Sequence, residues 1–243
     1  MKRKQQTKMV FRIGDVLHII TQSTTSNKKI SMPKEKIVQT YHYSREQFDE
    51  AQGKTSMRDF FSKDGKVCMD CPFAVSNGAK LSACYTHKLR QYTGFLSQLR
   101  SVGKRYKSFD DIPEYAEDMH MLIADICVNR YVRFGTYGEP SLLPLDLVES
   151  MTYVATSWTG YTHQWRKRDE YAPYFMASVH SAMEEEIATL IGYRSFVVAS
   201  ETQSQFISCP ASEEMGFKSN CSKCGLCSGT KGKGKKSVTI LEH

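Results

Sequence analysis

The chain has 243 residues, 40% of them hydrophobic, enough to bury a sizeable core and too many for a disordered chain. No run approaches the roughly 18 uninterrupted apolar residues of a membrane span, and no long apolar segment follows the basic start MKRKQQTKMVFRIGDV, so a cytoplasmic protein without a membrane partner is expected. The formal net charge of +7 gathers at Lys2, Arg3, Lys4 and Lys8 and at Lys231, Lys233, Lys235 and Lys236, which makes nucleic acid a candidate partner through salt-sensitive contacts.

From residue 1 to 66 short apolar runs such as VLHII alternate with polar stretches such as TQSTTSNKK. A mixed strand-and-loop extension is expected there, packed on a main domain of residues 67–243. Leu89, Tyr92, Leu96 and Leu99 recur at helical spacing within His87 to Val102, as do Tyr115, Met119, Leu122 and Ile126 within Pro113 to Ile126. Both read as amphipathic core helices.

Beyond Tyr131 strand-like and helix-like segments alternate: YVRFGTY, PLDLVESMTYVATSW, YTHQW, YFMASV, SAMEEEIATLIGY and RSFVVAS. In the last helix Met183, Ile187, Leu190 and Ile191 share one side, Glu184 to Glu186 favour its N-terminus, and Gly192 supplies the stop. QFIS and SVTIL bracket a cysteine-rich loop. Short strands separated by helices imply βα units and a mainly parallel sheet, so the expected α/β fold is a TIM-like or partial (β/α) barrel, with a doubly wound open sheet as competitor. In a barrel functional groups gather where strands end. Gly135 to Pro140, His163 and Gln164, Ser178 and His180, Ser200 and Glu201, and Cys209 all occupy such positions.

The eight cysteines fall mostly into two groups. Cys68, Cys71, Cys84 and His87 spell C-x2-C-x12-C-x2-H, four donors of the kinds zinc prefers. The competing reading keeps only Cys68 and Cys71 as ligands and lets His87 begin a helix. Cys127, inside LIADICV, reads as a core thiol. Cys209, Cys221, Cys224 and Cys227 spell C-x11-C-x2-C-x2-C. A third cysteine at the repeated interval is the spacing by which a ferredoxin-like loop wraps one cluster, and Pro210 after Cys209 matches the remote Cys-Pro ligand of ferredoxins. An iron–sulfur cluster, with 4Fe-4S as the expected type, is favoured over zinc, and grouped thiols in a reducing compartment argue against disulfides.

The ordered set CMDCPFAVSNGAKLSACY, RFGTYGEP, TGYTHQW, MASVHS, GYRSFVV, CPAS with C-x2-C-x2-C, and VTILEH, spanning residues 66 to 243, resembles a phage- and plasmid-encoded family. That family is distantly similar to radical S-adenosylmethionine barrels. The resemblance implies that Gly135, Gly138 and Glu139 belong to a segment meeting S-adenosylmethionine, although the C-x3-C-x2-C signature of the radical enzymes is absent. His163 and Glu139 are the candidate acid–base residues. TGYTHQWRKRDEYAPYF mixes aromatic and basic residues, as nucleic-acid surfaces do, and equally suits a core strand followed by a solvated turn. The expected function is a phage- or plasmid-type iron–sulfur protein with a radical S-adenosylmethionine-like or redox role. The alternative is a zinc-stabilised nucleic-acid-binding module acting in replication or regulation. Neither catalysis nor oligomeric state is legible.

Overall fold

Alternating apolar residues and a tight glycine turn begin the chain. Lys8–Ile13 (β1) and Val16–Ser23 (β2) pair in antiparallel register from Ile13 opposite Val16, across Gly14 at φ +55°, a left-handed conformation that glycine adopts without steric cost. Ile37–Ser44 (β3) runs antiparallel to β2. These strands occupy the region read from sequence as an indistinct extension. The computed structural model describes residues 6–32, 34–201 and 204–241. Lys2, Arg3 and Lys4, on which part of the polyanion expectation rests, lie outside the described residues.

Ser44 starts Arg45–Gln52 (α1) with a reciprocal capping box to Gln47, and Ser56 caps Met57–Ser62 (α2). Gly65–Cys68 (α3) precedes the first cysteine loop, and Leu89–Arg105 (α4) and Met119–Cys127 (α5) follow it. Tyr131–Tyr137 (β4), Leu145–Val154 (α6), Ser157–Thr159 (β5), Tyr161–Thr162 (β6), Met176–Val179 (β7), Ala182–Leu190 (α7), Ser195–Ala199 (β8), Ile207–Ser208 (β9), Cys221–Cys224 (α8) and Val238–Leu241 (β10) complete the chain.

The strands form two five-stranded sheets, ordered β1-β2-β3-β4-β5 and β6-β7-β8-β10-β9. β3, β4 and β5 are mutually parallel, as is every pair in the second sheet. Strand β3 therefore joins residues on either side of position 66 in one sheet. The expected mixed α/β architecture with mainly parallel strands is present. A closed barrel is not: the antiparallel β1–β2 hairpin occupies one edge, the two-residue β9 the other, and no pairing among the described residues joins them.

Only Gly160 separates β5 from β6. Its N–H donates to the Cys227 carbonyl at 3.2 Å, and its carbonyl accepts from Met176 N–H at 2.9 Å. A Cβ here would lie 2.4 Å from a ring carbon of Phe175, so the junction admits only glycine without rearrangement. Because this stretch serves both sheets, the C-terminal ends of β3, β4, β6 and β7 share one rim.

Strand alternation sorts the core. Leu17, Ile19, Tyr43 and Tyr137 face α1, α2 and α4 with Phe60, Phe61, Phe95 and Leu99. Phe11, Ile20, Val132 and Phe134 face the opposite way, toward Ile123, Ile126, Cys127, Leu147 and Met151 of α5 and α6. Cys127 is thus a core thiol, as expected. On the second sheet Ala177, Val179 and Val197 meet Ala188 of α7, while Met176 and Val238 meet Cys209 and Cys227 on the other face. Helix α7 departs from its pattern. Ala188 is its buried residue, and Met183 and Leu190 are 71% and 85% exposed. The YTHQW strand shortens to two residues because the His163 and Gln164 N–H groups bond to the Glu139 carboxylate and the Thr162 hydroxyl instead of a neighbouring strand.

Candidate functional site

The first cysteine loop folds around a buried carboxylate. Asp64 accepts from the Val75 and Ser76 N–H groups, both at 3.1 Å, closing CMDCPF into a compact turn, and the Asn77 amide donates to the Met69 and Cys71 carbonyls. The loop then docks on the rim, where Glu139 N–H donates to the Val67 carbonyl at 2.7 Å. Gly138, at φ +79°, permits this approach, since a Cβ would stand 2.8 Å from Cβ of His42. Cys68, Cys71 and Cys84 lie within electrostatic reach of one another and of Asp64. Burial pushes the Cys68 thiol well up and that of Cys71 to about 12; it raises Cys84 as well.

Cys71 Sγ stands 3.9 Å from Nε2 of His163, which extends the group to the end of β6. Burial, then proximity to His180, lowers the His163 imidazole to about 4, so it is neutral at physiological pH. The rings of His163 and His180 are nearly parallel at 5.8 Å, with Phe73 edge-on to both. His87, expected as the fourth donor beside Cys84, lies against the Phe61 ring at 4.0 Å and bonds the Leu81 carbonyl through Nδ1.

Glu139 is buried, and its carboxylate is heavily engaged. It accepts from the N–H and hydroxyl of Ser141, from the His163 N–H and from the Thr162 hydroxyl. Burial raises its pKa against these stabilising bonds. The side chain thus clasps the ends of β4 and β6 together. Gly135, at φ +61°, sits beside a register shift between β3 and β4 and donates its N–H to the Thr40 hydroxyl at 2.8 Å. Gly135 and Gly138 therefore shape the turn through their backbones.

The second cysteine group lies on the other face of the second sheet. Cys209 leaves β9 with its N–H on the Thr239 carbonyl, while the Cys221 and Ser222 N–H groups bond the carbonyls of Lys29 and Ile30, pinning α8 to the segment before β3. Gly225 ends that turn at φ +63°. Cys209, Cys221 and Cys227 belong to one packed cluster with Tyr161, and Cys224 lies within electrostatic reach of all three. Burial raises the Cys221 thiol to about 11 and raises Cys209 and Cys227 too.

The donor chemistry of both groups suits zinc or an iron–sulfur cluster. Their spacing is open, however: among the described residues no group of three or more His, Cys, Asp or Glu side chains is gathered as a metal-holding set. The basic turn after Trp165 is neutralised locally. Arg166 pairs with Glu184 at 2.8 Å, Lys167 with Asp70 at 2.5 Å and Arg168 with Glu170 at 2.7 Å. No helix among the described residues is long and apolar enough to cross a membrane.

Asp64 and Arg133 enter this region without having been singled out from sequence, whereas His180 was placed there by its position after a strand. Arg133, on the face of β4 opposite Val132 and Phe134, lies within electrostatic reach of Cys221 and donates to the hydroxyl of Tyr85, the residue after Cys84. Its one legible signal was a charged residue within the apolar run YVRF. No protein-family model, curated protein or solved structure matches the chain.

Proposed function

We propose that this chain is an iron–sulfur protein of the phage or plasmid type, built on a partial barrel, with a redox or radical S-adenosylmethionine-like role. The observation that supports the reading is that Cys209 packs in one cluster with Cys221 and Cys227 across a gap of eleven intervening residues, against a sheet face, with Cys224 within electrostatic reach. Cys209 and Cys227 are buried and Cys221 partly so, and thiols in such places are costly as thiolates unless a cationic centre compensates them, which is the environment a thiolate-ligated cluster provides. Cys68, Cys71 and Cys84, with His163 beside them, form the second candidate group at the strand-end rim. Zinc is the alternative occupant of either group. The local pairing of Arg166, Lys167 and Arg168 weighs against that turn as a polyanion surface.

S-adenosylmethionine remains the co-substrate that the sequence resemblance implies for Gly135, Gly138 and Glu139. The Glu139 carboxylate already accepts several hydrogen bonds, so its support for such a ligand would be the positioning of the rim. Site-resolved variants test the cluster assignment. Cys221→Ser with Cys224→Ser is expected to abolish iron at the second group and leave the first unchanged, while Cys127→Ser, in the core, leaves iron content intact. Iron retained in full by the double variant would refute the assignment.

A further inference from the structure

A cavity of about 610 Å³ opens between α4 and the face of β3 and β4 that carries Tyr41 and Arg133, within the size range of roughly 300–1,000 Å³ typical of small-molecule sites. Its wall contains two guanidinium groups, Arg133 and Arg90, and no carboxylate. Arg12, Arg45, Arg166 and Arg168 are each paired with Asp or Glu elsewhere in the fold. Among the described residues neither cavity arginine has such a partner: Arg133 donates to the Tyr85 hydroxyl at 3.3 Å, and Arg90 donates to the Ser26 hydroxyl at 2.8 Å.

Arg133 is half-buried and Arg90 exposed, so one cation stands within the cavity wall and the other at its rim. Hydroxyl acceptors only partly replace the water that a half-buried guanidinium gives up; a bidentate oxyanion would replace it fully. The rings of Tyr41, Tyr85 and Phe95 also line the space and offer a flat ligand apolar surface, while the Gln39 and Gln98 amides supply neutral hydrogen-bonding groups.

We propose that this cavity binds a small organic anion, a planar ring bearing a phosphate or carboxylate, with the anionic group on Arg133 and within the field of Arg90. The site is independent of what the cysteines hold, although Tyr85 places it next to Cys84.

Calorimetric titration of the full chain tests it with three probes: AMP for a phosphate, indole-3-acetate for a carboxylate, and adenosine as the uncharged control. AMP, indole-3-acetate or both are expected to bind, more weakly as salt rises, and binding by one alone assigns the anionic group. Arg133→Gln should weaken the bound anion about tenfold or more, as expected for loss of a charge-assisted bidentate contact, and leave adenosine unchanged. Arg90→Gln should weaken it by a smaller factor and reduce the salt dependence, which keeps the test open if Arg133→Gln fails to fold. No heat from either anion at about 10 mM, a concentration well above that at which a specific site saturates, overturns the proposal. So does anion binding that both variants leave unchanged. Metal analysis of the same sample keeps the two proposals separate, since a metal-free protein that binds AMP supports this site and counts against the cluster.

Discussion

Lowering the pH from 7 to 5 should destabilise the fold through a histidine pair that the candidate site does not use. His18 and His42 face each other across β2 and β3, their Nδ1 atoms 2.9 Å apart and both side chains fully buried. One neutral ring donates to the other; His42 Nε2 reaches the Thr40 hydroxyl, and His18 Nε2 has no hydrogen-bond partner among the described residues. Burial lowers His42 to about 3 and holds His18 well below the ordinary value, with the neighbouring His42 adding to the effect. In the unfolded chain each ring takes a proton near pH ~6.5. The folded-state pKa values are depressed, so stability is complete above that pH and falls as the unfolded chain gains protons that the folded chain refuses. Between pH 7 and 5 His42 alone removes about 2 kcal/mol, and His18 acts in the same direction.

This window isolates the imidazoles. Pairing with Lys66 and then Arg45 holds Asp15 below the ordinary carboxylate value, pairing with Arg45 does the same for Asp110, and bonds from Tyr174 and Lys231 do so for Glu149; these carboxylates stay ionised throughout. His163, lowered to about 4, and His87, lowered by burial, act in the same direction as the pair, while Glu139 and Asp49, both raised by burial, oppose it by gaining their protons earlier in the folded state. Urea denaturation at the two pH values reads the difference directly. His42→Gln, which cannot titrate, should shrink the pH-dependent loss by about 2 kcal/mol. Equal wild-type stability at pH 7 and 5, or an undiminished loss in the variant, would refute the reasoning.

Two further substitutions probe the framework of the site. Gly160→Ala forces a methyl group to 2.4 Å from the Phe175 ring where the two sheets meet, and is expected to cost about 1–3 kcal/mol, read as a lower melting temperature. Asp64→Ala leaves the Val75 and Ser76 N–H groups without their acceptor; the expected cost is about 1–3 kcal/mol, accompanied by faster alkylation of Cys71 by a thiol reagent as its loop opens.

The helix α4 and the strands β7 and β8 were legible because each carries its own periodicity, and Gly192 at φ +91° matches the stop expected for the preceding helix. The β1–β3 meander was obscured because VLHIITQS buries residues of both faces and therefore shows little alternation. Helix α7 misled in the opposite way, with a regular apolar side that the tertiary structure leaves largely exposed. Within the site, the C-x2-C pairs are local and could be read directly. The approach of His163 to Cys71 spans 92 positions and is set by the docking of one strand end on another loop, information that spacing does not contain. Glu139 stood out at a strand end, but the clasp it forms became visible only when Ser141, Thr162 and His163 were placed around it.

The central claim is that the cysteine groups hold iron and sulfide. Anaerobic purification followed by iron, zinc and acid-labile sulfide analysis, with the visible absorption of the same sample, tests it most directly. The account predicts a coloured protein with iron and sulfide in near-equal amounts and, for a cluster of the 4Fe-4S type, about four of each per chain at the second group. A colourless protein with stoichiometric zinc and no acid-labile sulfide would contradict it.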